Sequence, residues 1–365
     1  MKRAGNLTDL VAMPDNILLA FCKARLGKSD KHEVRAFAAR LWQETIGLGN
    51  ELLSATVAFG PYRSFKVYDP KERTIRVAPF RDRVCHHALM NVCEPVLERY
   101  LIEETYACRK GKGMHKAVLR AQQCSRRYAW YVKMDVRKYY DSVDHERLLT
   151  LLARRFKDTR LLHVFARLIG SYETCQGKGL PIGNLTSQHF ANQYLGVLDH
   201  HVKETLGAAG YIRYMDDFVV WDDDKGRLKA VKASVQSFLG DDLRLTLKDD
   251  VQINRSARGM PFLGCRVYPD RICLTPESKS RFARKLRRYD KELRNGTRDE
   301  NDVARRVQAL CAFVRFADSH GLRTHLMRGL SEGLEPRDPR RQLEQQREQL
   351  PRREPQQQMN RPRAV

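Results

Sequence analysis

No apolar run in this chain approaches the roughly 20 residues needed to cross a bilayer. The opening Met1-Lys2-Arg3-Ala4-Gly5-Asn6 leads into no apolar signal core. The expectation is a cytoplasmic protein with no membrane association. No Cys-x-x-Cys pair occurs, and the cysteines number nine, at 22, 85, 93, 108, 124, 175, 265, 273 and 311. An odd count without paired spacing argues against a disulfide framework or zinc site and for reduced cysteines used as small core residues. His86-His87 and His200-His201 are neighbours in sequence, and such neighbours point apart on a helix, so they read as structural or surface residues. The basic loop at 108 to 113, Cys-Arg-Lys-Gly-Lys-Gly, resembles a phosphate-contacting turn. It is not a P-loop, because Gly-x4-Gly-Lys-Ser/Thr is absent.

What the chain does have is positive charge. Its 365 residues carry 67 Lys and Arg against 44 Asp and Glu, a net charge of +23. At 42% hydrophobic and 30% charged it can bury a core of two or three packed units. Such a balance seeks polyanions, nucleic acid first and an acidic membrane surface second.

Periodicity divides the chain. Residues 8 to 55 read as helical, through Leu18, Leu19, Phe21, Leu26, Val34, Phe37, Leu41 and Ile46. Residues 56 to 78 read as a β-hairpin with a basic tip, residues 82 to 102 and 114 to 127 as helices, and 130 to 135 as a strand. Helix is expected over 145 to 170, from Leu185 to Leu206 and over 227 to 240, and strand near 243 to 248. A short β-ribbon is expected over 261 to 275. Asp222-Asp223-Asp224-Lys225-Gly226 reads as a solvated turn or helix cap. Residues 277 to 298 hold nine Lys or Arg and three acids. There Phe282, Leu286, Tyr289 and Leu293 fall on one helix face, and Arg281, Arg284, Lys285 and Arg288 lie off it as a stripe for nucleic acid. Residues 335 to 365 contain seven Gln, five Pro and eight Arg and read as a disordered tail.

Two segments carry the chemistry. Tyr214-Met215-Asp216-Asp217 lies between apolar runs and reads as strand, tight turn, strand, with a carboxylate pair at the tip. Adjacent acids repel, and a divalent metal ion is one reason to hold them together. Asp135 closes an apolar strand upstream, so acids from two strand ends could hold two Mg²⁺ ions for phosphoryl transfer.

Together with Leu180-Pro181-Ile182-Gly183-Asn184-Leu185-Thr186-Ser187-Gln188 and Phe262-Leu263-Gly264-Cys265, these segments resemble the blocks of reverse transcriptases, in order, over about residues 60 to 330. The Ile-Gly-x-x-x-Ser-Gln form of the 182 to 188 block is similar to that of diversity-generating retroelements. Group II intron enzymes mostly have Gln-Gly-x-x-x-Ser-Pro there. Arg81-Asp82-Arg83-Val84, His86-His87-Ala88-Leu89 and the segment Tyr106 to Gly113 also resemble the retroelement group.

The resemblance implies an α+β right-hand polymerase. Fingers and a split βαβ palm would occupy 1 to 275, a basic helical thumb 276 to 330, and the tail 331 to 365. It implies that Asp135 and Asp216 hold both metals, with Asp217 completing the turn and the backbone carbonyl of Val136 as an extra ligand. Asp141 and Asp144 read as loop or cap residues. Tyr140, five residues beyond Asp135, would exclude a ribose 2′-hydroxyl. Lys71 and Arg73 would bind the triphosphate, with Lys66 and Arg81 as lesser candidates. Ile182 and Gln188 would face the incoming nucleotide. Lys248 would protonate pyrophosphate, although a solvated surface lysine is an equal reading. The 262 to 267 turn would grip the primer end.

The implied activity is RNA-directed DNA synthesis, copying a template-repeat RNA into cDNA with errors at adenines. Implied partners are an RNA template, a DNA or RNA primer, deoxynucleotides and a small basic helical oligomeric accessory protein. Two other readings stay open: a retron or antiphage-defence reverse transcriptase, and an inactive RNA-binding scaffold. No separate maturase or endonuclease region is legible, which argues against a complete intron-encoded protein.

Overall fold

The computed structural model describes residues 2 to 68 and 72 to 331, without the side chains of 329 to 331. Lys71 and the 332 to 365 part of the expected tail lie outside the described residues. The chain forms two compact units that part between Cys273 and Leu274.

The first unit opens with helices Thr8–Ala12, Pro14–Ala24, His32–Ala39 and Leu41–Leu53. They pack around the helix Phe80–Glu98, where the rings of Phe21, Phe37 and Phe80 meet at centroid distances of 5.4 to 6.0 Å. Arg81 on that helix bonds Glu44 and Glu51, which commits its guanidinium to this packing. Between these helical parts stands the hairpin of β1 (Arg63–Tyr68) and β2 (Glu72–Val77). All six β1 residues are exposed, so this ribbon projects from the core.

The central sheet has four antiparallel strands: β3 (Trp130–Asp135), β4 (Gly210–Tyr214), β5 (Asp217–Asp222) and β6 (Gln252–Arg255). Their order is β4-β5-β3-β6. Helices enter between β3 and β4, and the helix Lys225–Asp241 between β5 and β6. This is the split βαβ arrangement the resemblance implies. Val132, Met134, Tyr211, Phe218 and Val220 are buried in the core beneath it. Asp224 caps Lys225–Asp241 by accepting from the Gly226 N–H, and Asp144 caps His145–Ala153 by accepting from Arg147.

Several boundaries differ from expectation. The 145 to 170 stretch is two helices, His145–Ala153 and Thr159–Gly170: the first ends at Arg154, and Asp158 caps the second by accepting from the Leu161 N–H. The helix from Leu185 keeps α geometry only to His200, then widens into a π turn over His201–Thr205. The strand near 243 to 248 does not form. Leu243, Leu245 and Leu247 are buried with period two, but Arg244 takes φ +52°, and Leu247 makes one isolated bridge to Val136. The strand that completes the sheet beside β3 is β6. A short ribbon follows, with β7 (Met260–Phe262) paired to β8 (Cys265–Val267), and β9 (Ile272–Leu274) closing the segment.

The second unit comprises the helices Pro276–Arg294, Glu300–Arg315 and His320–Ser331. Phe282, Leu286 and Tyr289 are buried within it. Leu293 is exposed, against expectation: it is the penultimate residue of the helix, one turn beyond the buried Tyr289.

Candidate active site

The register of the central sheet builds the site. Asp135, the last residue of β3, pairs directly with Asp217, the first of β5. Tyr214 also pairs with Asp217, so Met215 and Asp216 form a two-residue turn. Such a turn requires positive φ at its first central position, and Met215 has φ +57°. The Val136 N–H donates to the Asp216 carbonyl at 3.3 Å, which ties this turn to the end of β3. The bridge beside Val136 uses the carbonyl of Asp135 and the N–H of Arg137, and not the Val136 carbonyl.

The register thus sets Asp135 against Asp217, beside the turn that carries Asp216, where the fold also supplies cations. Burial raises the Asp216 carboxyl above its usual range, and Asp135 pushes the same way against Lys248 and Arg73. Asp217 is pushed up to about 7, chiefly by burial, although Lys133 Nζ lies 3.1 Å from its Oδ2. Lys248 bonds Asp135 Oδ2, and its own N–H donates to the Asp135 carbonyl at 2.9 Å. The remaining oxygens, Asp135 Oδ1 and Asp217 Oδ1, are buried without a hydrogen-bond partner. Buried polar atoms left so are rare, and a catalytic role or an ion is among the explanations for them.

A divalent cation suits these oxygens. Among the described residues no three or more His, Cys, Asp or Glu side chains converge as a ready cage.

The other candidates fall into two groups. Close to the acids, Tyr140 is largely buried, with its hydroxyl 3.9 Å from Met215 Sδ. Burial raises its phenol well above the usual range, with Asp216 adding to the effect and Arg73 opposing it. Arg73 is exposed on β2. Ile182 is half-buried, and its carbonyl accepts from the Arg76 N–H at 2.8 Å, which fastens the 180 to 188 block to β2. Gly183, at φ +109°, lies against Ile75, where an added Cβ would fall 2.7 Å from Ile75 Cγ2. Gln188 is half-buried in the first turn of Leu185–His200. Lys66 pairs with Glu72 at 2.7 Å on the exposed ribbon.

The second group belongs to the other unit. On Pro276–Arg294, Arg284 and Arg288 are exposed and Arg281 and Lys285 half-buried. Arg288 Nε lies 3.5 Å from Glu292, and its guanidinium sits over the Tyr289 ring.

Sequence reasoning passed over Lys133 and Arg213. Lys133 lies two residues before Asp135, on the same strand face, a spacing that could have flagged it. Arg213 is a lone cation in an apolar strand, and only the fold reveals its partner Asp199.

Comparison with known proteins is consistent with this geometry. The family described as "Reverse transcriptase (RNA-dependent DNA polymerase)" matches residues 68–267, more than half of the chain. Protein YkfC of Escherichia coli (strain K12) is 26% identical over 305 residues, covering 68% of this chain and 80% of that protein. The group II intron-encoded protein LtrA of Lactococcus lactis subsp. cremoris is 25% identical over 138 residues, covering 36% of this chain and 23% of LtrA. Nuclear intron maturase 2, mitochondrial, of Arabidopsis thaliana is 22% identical over 178 residues, covering 44% of this chain and 24% of the maturase. The chain therefore spans about a quarter of the length of these two intron-related proteins. Among solved structures, apo telomerase from Candida Tropicalis superposes with a TM-score of 0.45 at 14% identity, covering 59% of this chain and 55% of the telomerase chain.

Proposed function

The chain belongs to the reverse transcriptase (RNA-dependent DNA polymerase) family, a right-hand polymerase fold whose activity is RNA-directed DNA synthesis, and from that premise we propose how this chain uses it. The proposal is a template-repeat RNA copied into cDNA, with errors concentrated at adenines, for diversification of a target gene. The observation that carries the catalytic part is the pairing of Asp135 with Asp217 beside the turn residue Asp216, with a buried unpartnered oxygen on Asp135 and on Asp217. Lys248 and Lys133 each take one oxygen of Asp135 and Asp217 and leave the other unpartnered, an arrangement that favours a metal-dependent enzyme over an inactive scaffold.

Asp135 and Asp216 would hold two Mg²⁺ ions, with Asp217 and the Val136 carbonyl beside them. Bound metal lowers the pKa of the attacking 3′-hydroxyl and neutralises the triphosphate. The chain's own residues do the rest. Arg73, exposed on β2, would pair with the triphosphate, together with Lys71. Tyr140 would pack against the sugar and leave no room for a 2′-hydroxyl. Lys248 would give its ammonium proton to the departing pyrophosphate. Residues 1 to 275 would serve as fingers and palm and 276 to 330 as thumb. Arg281, Arg284, Lys285 and Arg288 would contact the nucleic-acid backbone, and Phe262 to Val267 the primer end. A small basic oligomeric accessory protein would assist.

The diversification reading rests on the 182 to 188 block. A glutamine at 182 could hydrogen-bond the nucleotide or its template partner, and isoleucine cannot. One such bond is worth roughly 1 kcal/mol, about a fivefold change in an equilibrium. The relatives described above carry intron-protein names or the uninformative name YkfC, which lends the retron or defence reading no support. Among the described residues no helix is long and apolar enough to cross a membrane.

The test is deoxynucleotide incorporation on a primed RNA with Mg²⁺, with the products sequenced. Asp216→Asn is expected to cut synthesis by roughly 100- to 1,000-fold, on the order of the electrostatic contributions seen at enzyme sites. Errors at template adenines that fall on Ile182→Gln substitution support the subtype; an unchanged error spectrum removes it. An Asp216→Asn protein as active as wild type would overturn the assignment of the acids.

A further inference from the structure

Behind the acidic turn lies an ion pair that the proposed chemistry does not use. Arg213 and Asp199 are both fully buried, with side chains 0% exposed. Arg213 Nε and Nη2 donate to the two Asp199 oxygens at 2.6 Å each. Asp199 also accepts from the Tyr211 and Thr105 hydroxyls, each at 2.7 Å. Arg213 Nη1 donates to the side-chain oxygen of Asn192 at 3.2 Å, and at 3.0 Å to the carbonyl of Met215. The guanidinium therefore joins the helix Leu185–His200 to the backbone of the catalytic turn.

Replacing a buried pair by apolar residues often leaves stability unchanged or improves it, so stability alone is weak grounds for keeping one. The Met215 contact supplies another reason. Met215 holds φ +57°, a left-handed conformation that residues other than glycine rarely adopt. Its neighbour Asp216 must keep one orientation for its carboxyl to meet Asp135. A planar guanidinium fixed on one edge by a carboxylate presents its remaining donor in a set direction. We propose that Arg213, locked by Asp199, is a positioning residue that holds Met215 in its left-handed conformation and thereby aims Asp216 at the metal and nucleotide site. This rests on the polymerase reading of that site.

The experiment compares wild type, Arg213→Lys and Thr105→Val. Lysine keeps the charge but cannot bond Asp199 bidentately and Met215 together. Thr105→Val removes a bond to Asp199 without touching the turn, and serves as the structural control. The first readout needs no catalysis: the methyl resonance of Met215 in methyl-13C-methionine protein, identified by its loss in Met215→Leu. Arg213→Lys is expected to move or broaden that signal, and Thr105→Val to leave it in place while lowering the melting temperature. The second readout is single-turnover incorporation against Mg²⁺ concentration. Arg213→Lys is expected to cut the maximal rate at least tenfold and to raise the half-saturating Mg²⁺, with nucleotide KM little changed. Because glycine adopts positive φ freely, the penalty of Arg213→Lys should shrink at least threefold in a Met215→Gly background.

If a folded Arg213→Lys protein keeps the wild-type methyl signal and Mg²⁺ dependence, the inference is overturned while wild-type synthesis keeps the polymerase reading intact. Equal effects from Thr105→Val also overturn it, because the network would then be merely structural. Wild type that makes no cDNA under any condition counts against the polymerase reading, and the methyl signal still decides whether Arg213 holds the turn. Should Arg213→Lys not fold, Asn192→Ala replaces it: loosening the guanidinium is expected to move the same methyl signal, and an unmoved signal counts against the inference.

Discussion

Two hairpin turns in the first unit solve one problem in different ways. Tyr214 to Asp217 and Phe262 to Cys265 are both two-residue turns whose first central residue, Met215 or Leu263, has positive φ: +57° and +50°. In the second turn the next position is Gly264, at φ +78°. No side chain is presented there, so glycine can relieve half of the strain. In the first turn that position belongs to Asp216, which does not take positive φ and whose carboxyl is the one proposed to hold metal. Glycine is excluded, and support comes from behind, through Arg213 and Asp199. A turn that has only to be tight can be written locally. A turn that must present a charge is braced by the rest of the fold.

The contrast breaks most sharply at Arg213. Arg213→Ala leaves Asp199 buried without its cation and is expected to cost about 3–5 kcal/mol in denaturant unfolding. Replacing both partners with apolar residues should restore most of that stability while synthesis stays impaired. Recovery of both together would return the pair to a purely structural role.

A pH series separates global stability from either turn. His86 is buried, and its imidazole is held down at about 3, chiefly by burial, with His87 and Arg83 adding to the effect. The folded value lies below the unfolded value near 6.5, so the unfolded chain binds the extra proton between them. Stability from this group is complete above pH 6.5 and is lost as pH falls toward 3, with a slope approaching 1.4 kcal/mol per pH unit. His86→Leu should flatten that slope in urea titrations, and an unaltered slope would assign acid sensitivity elsewhere. The smallest effect belongs to the glycine turn. Gly264→Ala should cost about 1 kcal/mol, the penalty for a Cβ at positive φ, and a neutral result would mean that the 262 to 265 turn is free to change its backbone.

Much of this was legible because local rules carried it. The turn at 214 to 217 sat between apolar runs, and the expected hairpins and capping aspartates rest on contacts between near neighbours in the chain. The expected strand near 243 to 248 shows the limit. Its leucines alternate correctly and are buried, but no neighbouring strand offers them a ladder, and β6 takes the place beside β3. Leu293 shows the converse, a helical spacing that runs past the end of what there is to pack against.

The sequence by itself determined the chemistry on offer: three acids in two segments, a basic ribbon, an aromatic five residues beyond Asp135, and an isoleucine at 182. Tertiary structure alone decided which charges meet. Asp135 faces Asp217 through strand register, Lys133 and Lys248 each take an oxygen of these acids, and Arg213 finds Asp199 across a helix and a strand. The physical reason is range. Periodicity and turn preference act over a few residues and are written where they act, whereas a buried charge is stable only beside a partner that the whole fold must bring to it.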